Sequence, residues 1–451
     1  MKSVFYISII GVFFSNLVSC SDDFLEVTPK GETIPETLED YELLFNGIAM
    51  TDLMPDILQF ATDNSYISHG IEELGKVENA YYWNHNLDYD LEENPEIWKN
   101  AYLGQYYSNV VINEIMEAKD GTEAEKRSLM GQAMTIRAMN YLYLLTAFAN
   151  AYDPERNPDD PGVPLVTSIN VTDEIPARST LKECFDLMTY DLKQAMEWLP
   201  ETHNNRWRVT RYVAAGVLAR IYTYTGQYEE ADTYATIALQ SPQTNKILDY
   251  NAMEVEDFPD LEVNSERLWI DNTPSNYSDC LYSYDLLEYF QEGDSRIRLF
   301  TRIDEETGIT IRDDADIRSF GISYPEMYLV RAEYLARSGE VNPAMEIVNM
   351  LREFRIPEGA PGRELTATNA EEALEMVLAE RRRELVFRGT RWMDMKRLDL
   401  EGRMPAVHRY VNNDPGDNLI RTLEPGSADY TFEIPMKVLS MNTNIKPNHQ
   451  Q

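Results

Sequence analysis

Apolar residues recur at helical spacing in two blocks of this chain, about 95–240 and 323–400, and lose that rhythm outside them. In the first block Leu129, Ala133, Ile136, Tyr143 and Ala147 fall at intervals of three, four or seven, one stripe of a helix that Thr122 and Glu125 open as a capping box. Thr180 with Glu183 opens another helix, which carries Phe185, Met188, Leu192, Ala195 and Met196 inward and stops at Leu199-Pro200. In the second block Ser323 with Glu326 repeats the device, with Pro325 in the first turn and Gly339 as the stop, and Asn342-Pro343 starts the partner helix. The pattern predicts five helices in the first block and three or four in the second.

Two helix pairs carry the spacing of 34-residue tetratricopeptide hairpins. Leu218, Tyr222, Gly226, Ala231 and Ala238 make one set; Ala332, Gly339 and Ala344 make the other, with Arg331 standing where that pattern has a leucine. Small residues let paired helices approach, and such hairpins bury their faces only by stacking on neighbours. The predicted fold is therefore mostly α, with about four tetratricopeptide-like hairpins supporting an irregular, loop-rich lobe with a few short strands. The lobe takes in about 24–94, 241–322 and 401–451; these segments and 151–178 are rich in Asn, Asp, Pro and Tyr, with strand-like runs at Leu268-Trp269-Ile270 and Thr431-Phe432-Glu433-Ile434. Loops this long in a compact protein are functional or disordered, and their aromatics argue for order, so function is expected there.

The ends and the charge narrow the setting. Lys2, the apolar stretch Val4 to Val18 and then Leu17-Val18-Ser19-Cys20 form an export signal over residues 1–19, too short to span a bilayer. Leu-Val-Ser-Cys resembles a lipobox, in which Cys20 is acylated and becomes the first mature residue; acyl chains then anchor the protein without a spanning helix. A secreted protein with a stray cysteine is the alternative. Cleavage removes only Lys2 among charged groups, so the net charge of -37 becomes -38, and nucleic acid is excluded as a partner. A 43% hydrophobic content supports a large core. Cys184 and Cys280 are expected as buried thiols, with a bridge between them as the other possibility.

Several segments, in order, carry a family resemblance. They are Gly131-Gln132-Ala133 to Ile136-Arg137-Ala138 with Tyr141, Leu144 and Phe148; Gly162-Val163-Pro164-Leu165; and Arg178-Ser179-Thr180 through Asp191-Leu192, Ala195 and Leu199-Pro200. Towards the C-terminus follow Glu380-Arg381-Arg382-Arg383-Glu384-Leu385 with Phe387, Gly389, Arg391-Trp392 and Asp394, then Ile434-Pro435 with Asn442 and Asn448. Together they resemble the SusD/RagB family over nearly all of the mature chain, and Ser21-Asp22-Asp23 resembles the tag that sends Bacteroidetes lipoproteins to the outside of the outer membrane. The resemblance implies a lipid-anchored outer-membrane protein facing the exterior and taking no cofactor. It would bind oligosaccharide or, in the RagB branch, peptide nutrients and deliver them to a SusC-like TonB-dependent transporter. Residues 20–451 are expected to form one SusD-like domain.

Within the arginine-rich stretch, Leu374, Val377, Leu378, Arg381 and Leu385 share one helix face, where an unpaired charge is costly. Arg381, Glu384, Arg391 and Trp392 are thus expected to be structural, a buried ionic knot fixing helix register, with Arg391 stacked on Trp392. An anion site is the alternative.

Sugar capture uses aromatic faces that join a rigid apolar area to a polar tip. The candidate ligand contacts are Tyr66, Tyr81, Tyr82 and Trp83 in one cluster and Tyr277, Tyr282 and Tyr284 in another. Asn79 and Asn276, together with Asp63, Asn64, Asn84 and Asn272, are hydrogen-bonding neighbours. These rings pack the loops in the alternative reading; the ligand reading has Trp83→Ala weaken binding and leave the Tm nearly unchanged. Trp98 and Tyr102, at i and i+4, are expected in the core, and Trp207 and Trp392 beside helices.

No catalytic constellation stands out. His69, His85, His203, His408 and His449 lack metal-ligand spacing, no nucleophile elbow occurs, and 77 acidic residues make any chosen carboxylate pair uninformative. Asp88, Asp90, Glu92 and Glu93 lack the glycine and spacing of a calcium loop and are expected as a solvated face. The expectation is a binding protein with no catalytic residue and no metal. The competing classes are a secreted glycan-processing hydrolase and a helical-repeat scaffold that binds only proteins.

Overall fold

The computed structural model describes residues 35–67, 75–88, 90–92, 94–243, 246–271, 280–303, 310–312 and 319–449. Cys20 with its leader, His69, Glu93, Asn272, Asn276 and Tyr277 lie outside them.

Five long helices occupy the first block: α1 (Glu96–Glu114), α2 (Glu123–Phe148), α3 (Leu181–Trp198), α4 (Arg211–Tyr224) and α5 (Tyr228–Leu239). Four occupy the second: α6 (Tyr324–Arg337), α7 (Val341–Glu353), α8 (Ala370–Glu384) and α9 (Arg391–Leu400). The Thr122/Glu125 and Thr180/Glu183 boxes both close reciprocally. At Ser323 only half of the box forms. Its hydroxyl accepts the Glu326 N–H, but the Glu326 carboxylate turns inward to Arg220 at 2.8 and 2.7 Å, because a buried guanidinium needs a counter-charge more than a helix end needs a second cap. Helix α7 starts at Val341, just ahead of Asn342-Pro343. Gly226 and Gly339 hold φ of +72° and +87° at the hairpin turns, a conformation that costs glycine nothing.

Neighbouring helices pack in sequence order from α1 to α5; α6 then packs on α5, joining the two blocks, and α7 and α8 pack on α6. Ala231, Ala235 and Ala238 of α5 and Ala332, Ala336 and Ala344 of α6 and α7 are fully buried, the close contacts that the hairpin spacing predicts. Helix α2 departs from a one-sided stripe: every residue from Gly131 to Phe148 is buried. It is the central helix, covered by α1, α3 and the C-terminal segment, whose Phe432 N–H bonds the Ala147 carbonyl at 3.0 Å. Among the described residues no helix is long and apolar enough to cross a membrane.

The lobe is tied by three antiparallel pairs: β1 (Ser65–Tyr66) with β2 (Leu281–Tyr282), β3 (Thr301–Ile303) with β4 (Thr310–Arg312), and β5 (Val407–Tyr410) with β6 (Leu419–Leu423). Neither strand-like run becomes a ladder. Leu268 and Trp269 both donate to the Ile322 carbonyl, and Glu433 donates to that of His85, so each run is an extended tie between segments of the lobe. Cys184 and Cys280 are buried thiols with no disulfide between them, and burial pushes the Cys184 thiol up to about 11.

Candidate ligand-binding cleft in the loop lobe

The turn between α8 and α9 sets the floor of the site. Phe387 at φ +53° and Gly389 at φ +82° fold the chain back sharply; at Gly389 a Cβ would come within 3.1 Å of Met54 and 3.2 Å of Phe320. The reversal brings Arg381 of α8 onto Asp394 of α9, with Nε 3.1 and 2.9 Å from the two carboxylate oxygens, and Asp394 also takes Arg397 at 2.9 Å. Glu384 takes Arg296 at 2.9 Å and Arg355 at 2.7 Å. The first residue of α9, Arg391, gives Nε and Nη2 to Asp63 at 2.7 and 2.6 Å. That engagement corrects the expected stacking on Trp392, whose ring is buried against Tyr430 and Phe432 instead.

Above this floor Arg382 donates from Nε to Asn64 at 2.8 Å, meets Asp285 at 2.8 Å and lies 4.2 Å from the Tyr289 ring centroid. Burial pushes the Asp63 carboxyl up, but Arg382 and Arg391 outweigh it and hold Asp63 well below the usual carboxylate range. Arg409 comes from the inward face of β5 and donates to the carbonyls of Phe60, Thr62, Ser65 and Tyr81 at 2.8–3.1 Å. Strand alternation leaves His408 exposed and Tyr410 half-buried on the opposite face.

Ser283 accepts the Leu286 N–H and donates to the Asp63 carbonyl at 2.6 Å, capping a short helix, Tyr284–Leu287. Asn413 accepts the Tyr284 N–H at 2.9 Å and donates to the Tyr282 carbonyl at 3.1 Å, clamping the 281–284 turn to the 410–415 loop. Between these segments opens a cleft of about 240 Å³ lined by Tyr284, Tyr289, His408, Tyr410, Arg382 and Tyr81, among others. Tyr284 and Tyr289 are 46% and 37% exposed, enough to offer ring surface to a ligand.

Among the described rings predicted to contact ligand, only Tyr284 is exposed. Tyr66, Tyr81, Trp83 and Tyr282 are buried, which corrects the expectation that they present free faces. The reason is local: among the described residues no carboxylate is in hydrogen-bond contact with Arg409, and Tyr81 and Trp83, 4.1 and 4.5 Å from it, supply π-faces instead. The Trp83 indole N–H is spent on the Ala61 carbonyl at 2.7 Å. Tyr82 is half-buried, edge-on to Tyr81. Asn79 donates to the Leu87 carbonyl and accepts from Asn84, so its amide braces the loop. Trp98 is buried and packs on Tyr102 and Phe148; Trp207 is half-buried, its carbonyl taking the Trp269 indole N–H. Tyr289, His408 and Tyr410 escape a search for aromatic clusters, although the alternation His408-Arg409-Tyr410 already marks one face of a strand as polar and open. Among the described residues no group of three or more His, Cys, Asp or Glu side chains could hold a metal ion, and Asp88 is paired with Lys76.

Residues 23–223 match a SusD-like family described as starch-binding and associating with the outer membrane, and residues 296–449 match the SusD family. SusD-like protein P2 of Formosa agariphila is 22% identical, over 97% of this chain and 98% of its own length. Two solved structures share the fold. A SusD superfamily protein from Bacteroides thetaiotaomicron aligns with a TM-score of 0.75 and 20% identity over 92% of this chain and 100% of that one. A protein from Bacteroides vulgatus described as a putative sugar binding protein aligns with 0.74 and 23% over 92% and 99%.

Proposed function

Because this chain belongs to the SusD/RagB family, we propose that it is a surface lipoprotein that captures oligosaccharides in the 281–290/405–415 cleft and passes them to a SusC-like TonB-dependent transporter. The observation that carries this reading is the pair of exposed rings, Tyr284 and Tyr289, beside Arg382 and Arg391, which α8 and α9 hold in place. Rigid aromatic faces beside charge-assisted donors suit a ligand that is apolar on its ring faces and polar at its edges. Acylated Cys20 holds the protein at the outer membrane, and residues 20–451 act as one unit, scaffold and lobe together.

Capture without turnover is part of the proposal. Glycoside hydrolysis needs two carboxyl groups flanking one bond, one of them able to carry a proton. Asp63 is held ionised by Arg391 and Arg382, which leaves Asp285 as the other carboxylate among the described residues lining the cleft.

Titration calorimetry against a panel of neutral and acidic oligosaccharides and peptides tests the reading. Saturable binding of an oligosaccharide, lost in Tyr284→Ala and recovered intact by product analysis, is the expected result. Binding of peptides alone, or hydrolysis of a bound sugar at catalytic protein concentration, would overturn it.

A further inference from the structure

The cleft is a cationic island on a strongly acidic protein. Three guanidiniums, Arg382, Arg391 and Arg409, converge on one buried carboxylate, Asp63, within a chain of net charge -37. Asp63 is consumed by Arg391, which takes both of its oxygens. Arg409 is consumed by backbone carbonyls, which share its charge without cancelling it. Arg382 keeps only a longer approach to Asp63, at 3.3 Å, and its nearer carboxylate is Asp285 at 2.8 Å, whose side chain is 68% exposed, against 3% for Arg382.

That asymmetry has a physical consequence. An ion pair with one partner in water gains little, because solvent screens it and the exposed side chain loses rotamer freedom by staying. A ligand anion already ordered by stacking on Tyr284 and Tyr289 loses no such freedom on reaching Arg382, so it can displace Asp285. A carboxylate or sulfate on a sugar ring also meets Arg382 in the fork geometry that a guanidinium prefers. We infer that the cleft selects anionic oligosaccharides, bearing uronate carboxylates or sulfate esters, with Arg382 as the reading residue and Asp285 as a built-in competitor for it. The inference rests on the oligosaccharide-capture reading above and specifies its ligand class.

The experiment is calorimetric titration with four probes: oligogalacturonate, its methyl ester, a sulfated chondroitin oligosaccharide and a neutral maltooligosaccharide. At least one anionic probe is expected to bind about tenfold or more tightly than the neutral sugars in dilute buffer, the worth of one charge-assisted contact. The advantage should shrink at about 0.5 M salt, where screening is strong. Asp285→Asn, a surface change that leaves the fold alone, should strengthen the anionic probe several-fold and raise its ratio to the neutral ones. Arg382→Gln should abolish the preference, with circular dichroism reporting whether that buried substitution still folds. If the neutral or esterified sugars bind and the anionic ones do not, or if Asp285→Asn leaves the ratio unmoved, the inference falls and oligosaccharide capture stands. If no sugar of any charge binds, both fall.

Discussion

The guanidinium of Arg409 lies 4.5 Å from the centroid of the Trp83 ring, and that ring is completely buried. Trp83 therefore covers part of a buried cation that Tyr81 and four backbone carbonyls also surround, and it does so from a left-handed backbone at φ +52°. Replacing it with alanine opens a cavity and uncovers Arg409 together. Trp83→Ala should cost about 3–5 kcal/mol, the usual range for a large buried aromatic, read as a lower midpoint in denaturant unfolding. A stability loss under about 0.5 kcal/mol would return Trp83 to the surface role that the sequence suggests.

The two halves of the molecule were legible to different degrees, and the reason is range. Helices α1 to α9 are announced by local signals, caps at Thr122 and Thr180 and small residues at Ala231 and Ala332, and the partner that Arg381 needs turns out to be nearby in the chain, at Asp394. The cleft is built from pairings no local signal contains: Arg409 reaches the Ser65 carbonyl across 344 residues, and Arg391 reaches Asp63 across 328. Which aromatic face is covered depends on where such an arginine lands. Tyr81 and Trp83 were consumed that way, while Tyr284, held by Asn413 at the lobe surface, stayed open.

Tyr284 separates binding from stability. Its ring is exposed and its backbone N–H, not its side chain, makes the contact with Asn413, so Tyr284→Ala should change unfolding by less than about 0.5 kcal/mol. Loss of its stacking area should weaken an oligosaccharide about tenfold, equivalent to about 1.4 kcal/mol, measured by titration calorimetry.

Glu380 is the densest junction of the ionic network. It is fully buried and takes Arg296 at 2.7 Å, Arg352 at 2.6 Å and Arg383 at 2.7 Å. Burial raises its carboxyl, yet the three guanidiniums outweigh it and leave the group well below the usual carboxylate range. Glu380→Gln keeps the shape and removes the charge that Arg352 and Arg383 rely on, while Arg296 keeps Asp294 and Glu384, and should cost about 3–5 kcal/mol by chemical denaturation at neutral pH. Because the folded-state value is depressed, this contribution is present above the unfolded value near 4.5 and fades as pH falls below it. The wild type and Glu380→Gln should therefore converge in strong acid.

Asp271 is expected to behave in the opposite sense. It is fully buried, and burial, with Asp52 adding to it, outweighs the N–H of Leu53 at 2.9 Å and pushes the carboxyl up to about 7 from 3.8. The folded protein therefore binds a proton that the unfolded chain releases between those two values. The stability this group contributes is complete below about 3.8 and is lost as pH rises through about 7. A change of this size corresponds to something on the order of 4 kcal/mol, at 1.36 kcal/mol for each pH unit. Asp271→Asn removes the titration, keeps an acceptor for Leu53 and fits the same space. Melting curves between pH 4 and 8 should show the variant gaining on the wild type steadily with rising pH and exceeding it at pH 8. A constant difference across that range would mean that Asp271 stays in one protonation state throughout, and that Leu53, Tyr143 and Arg220 compensate its burial.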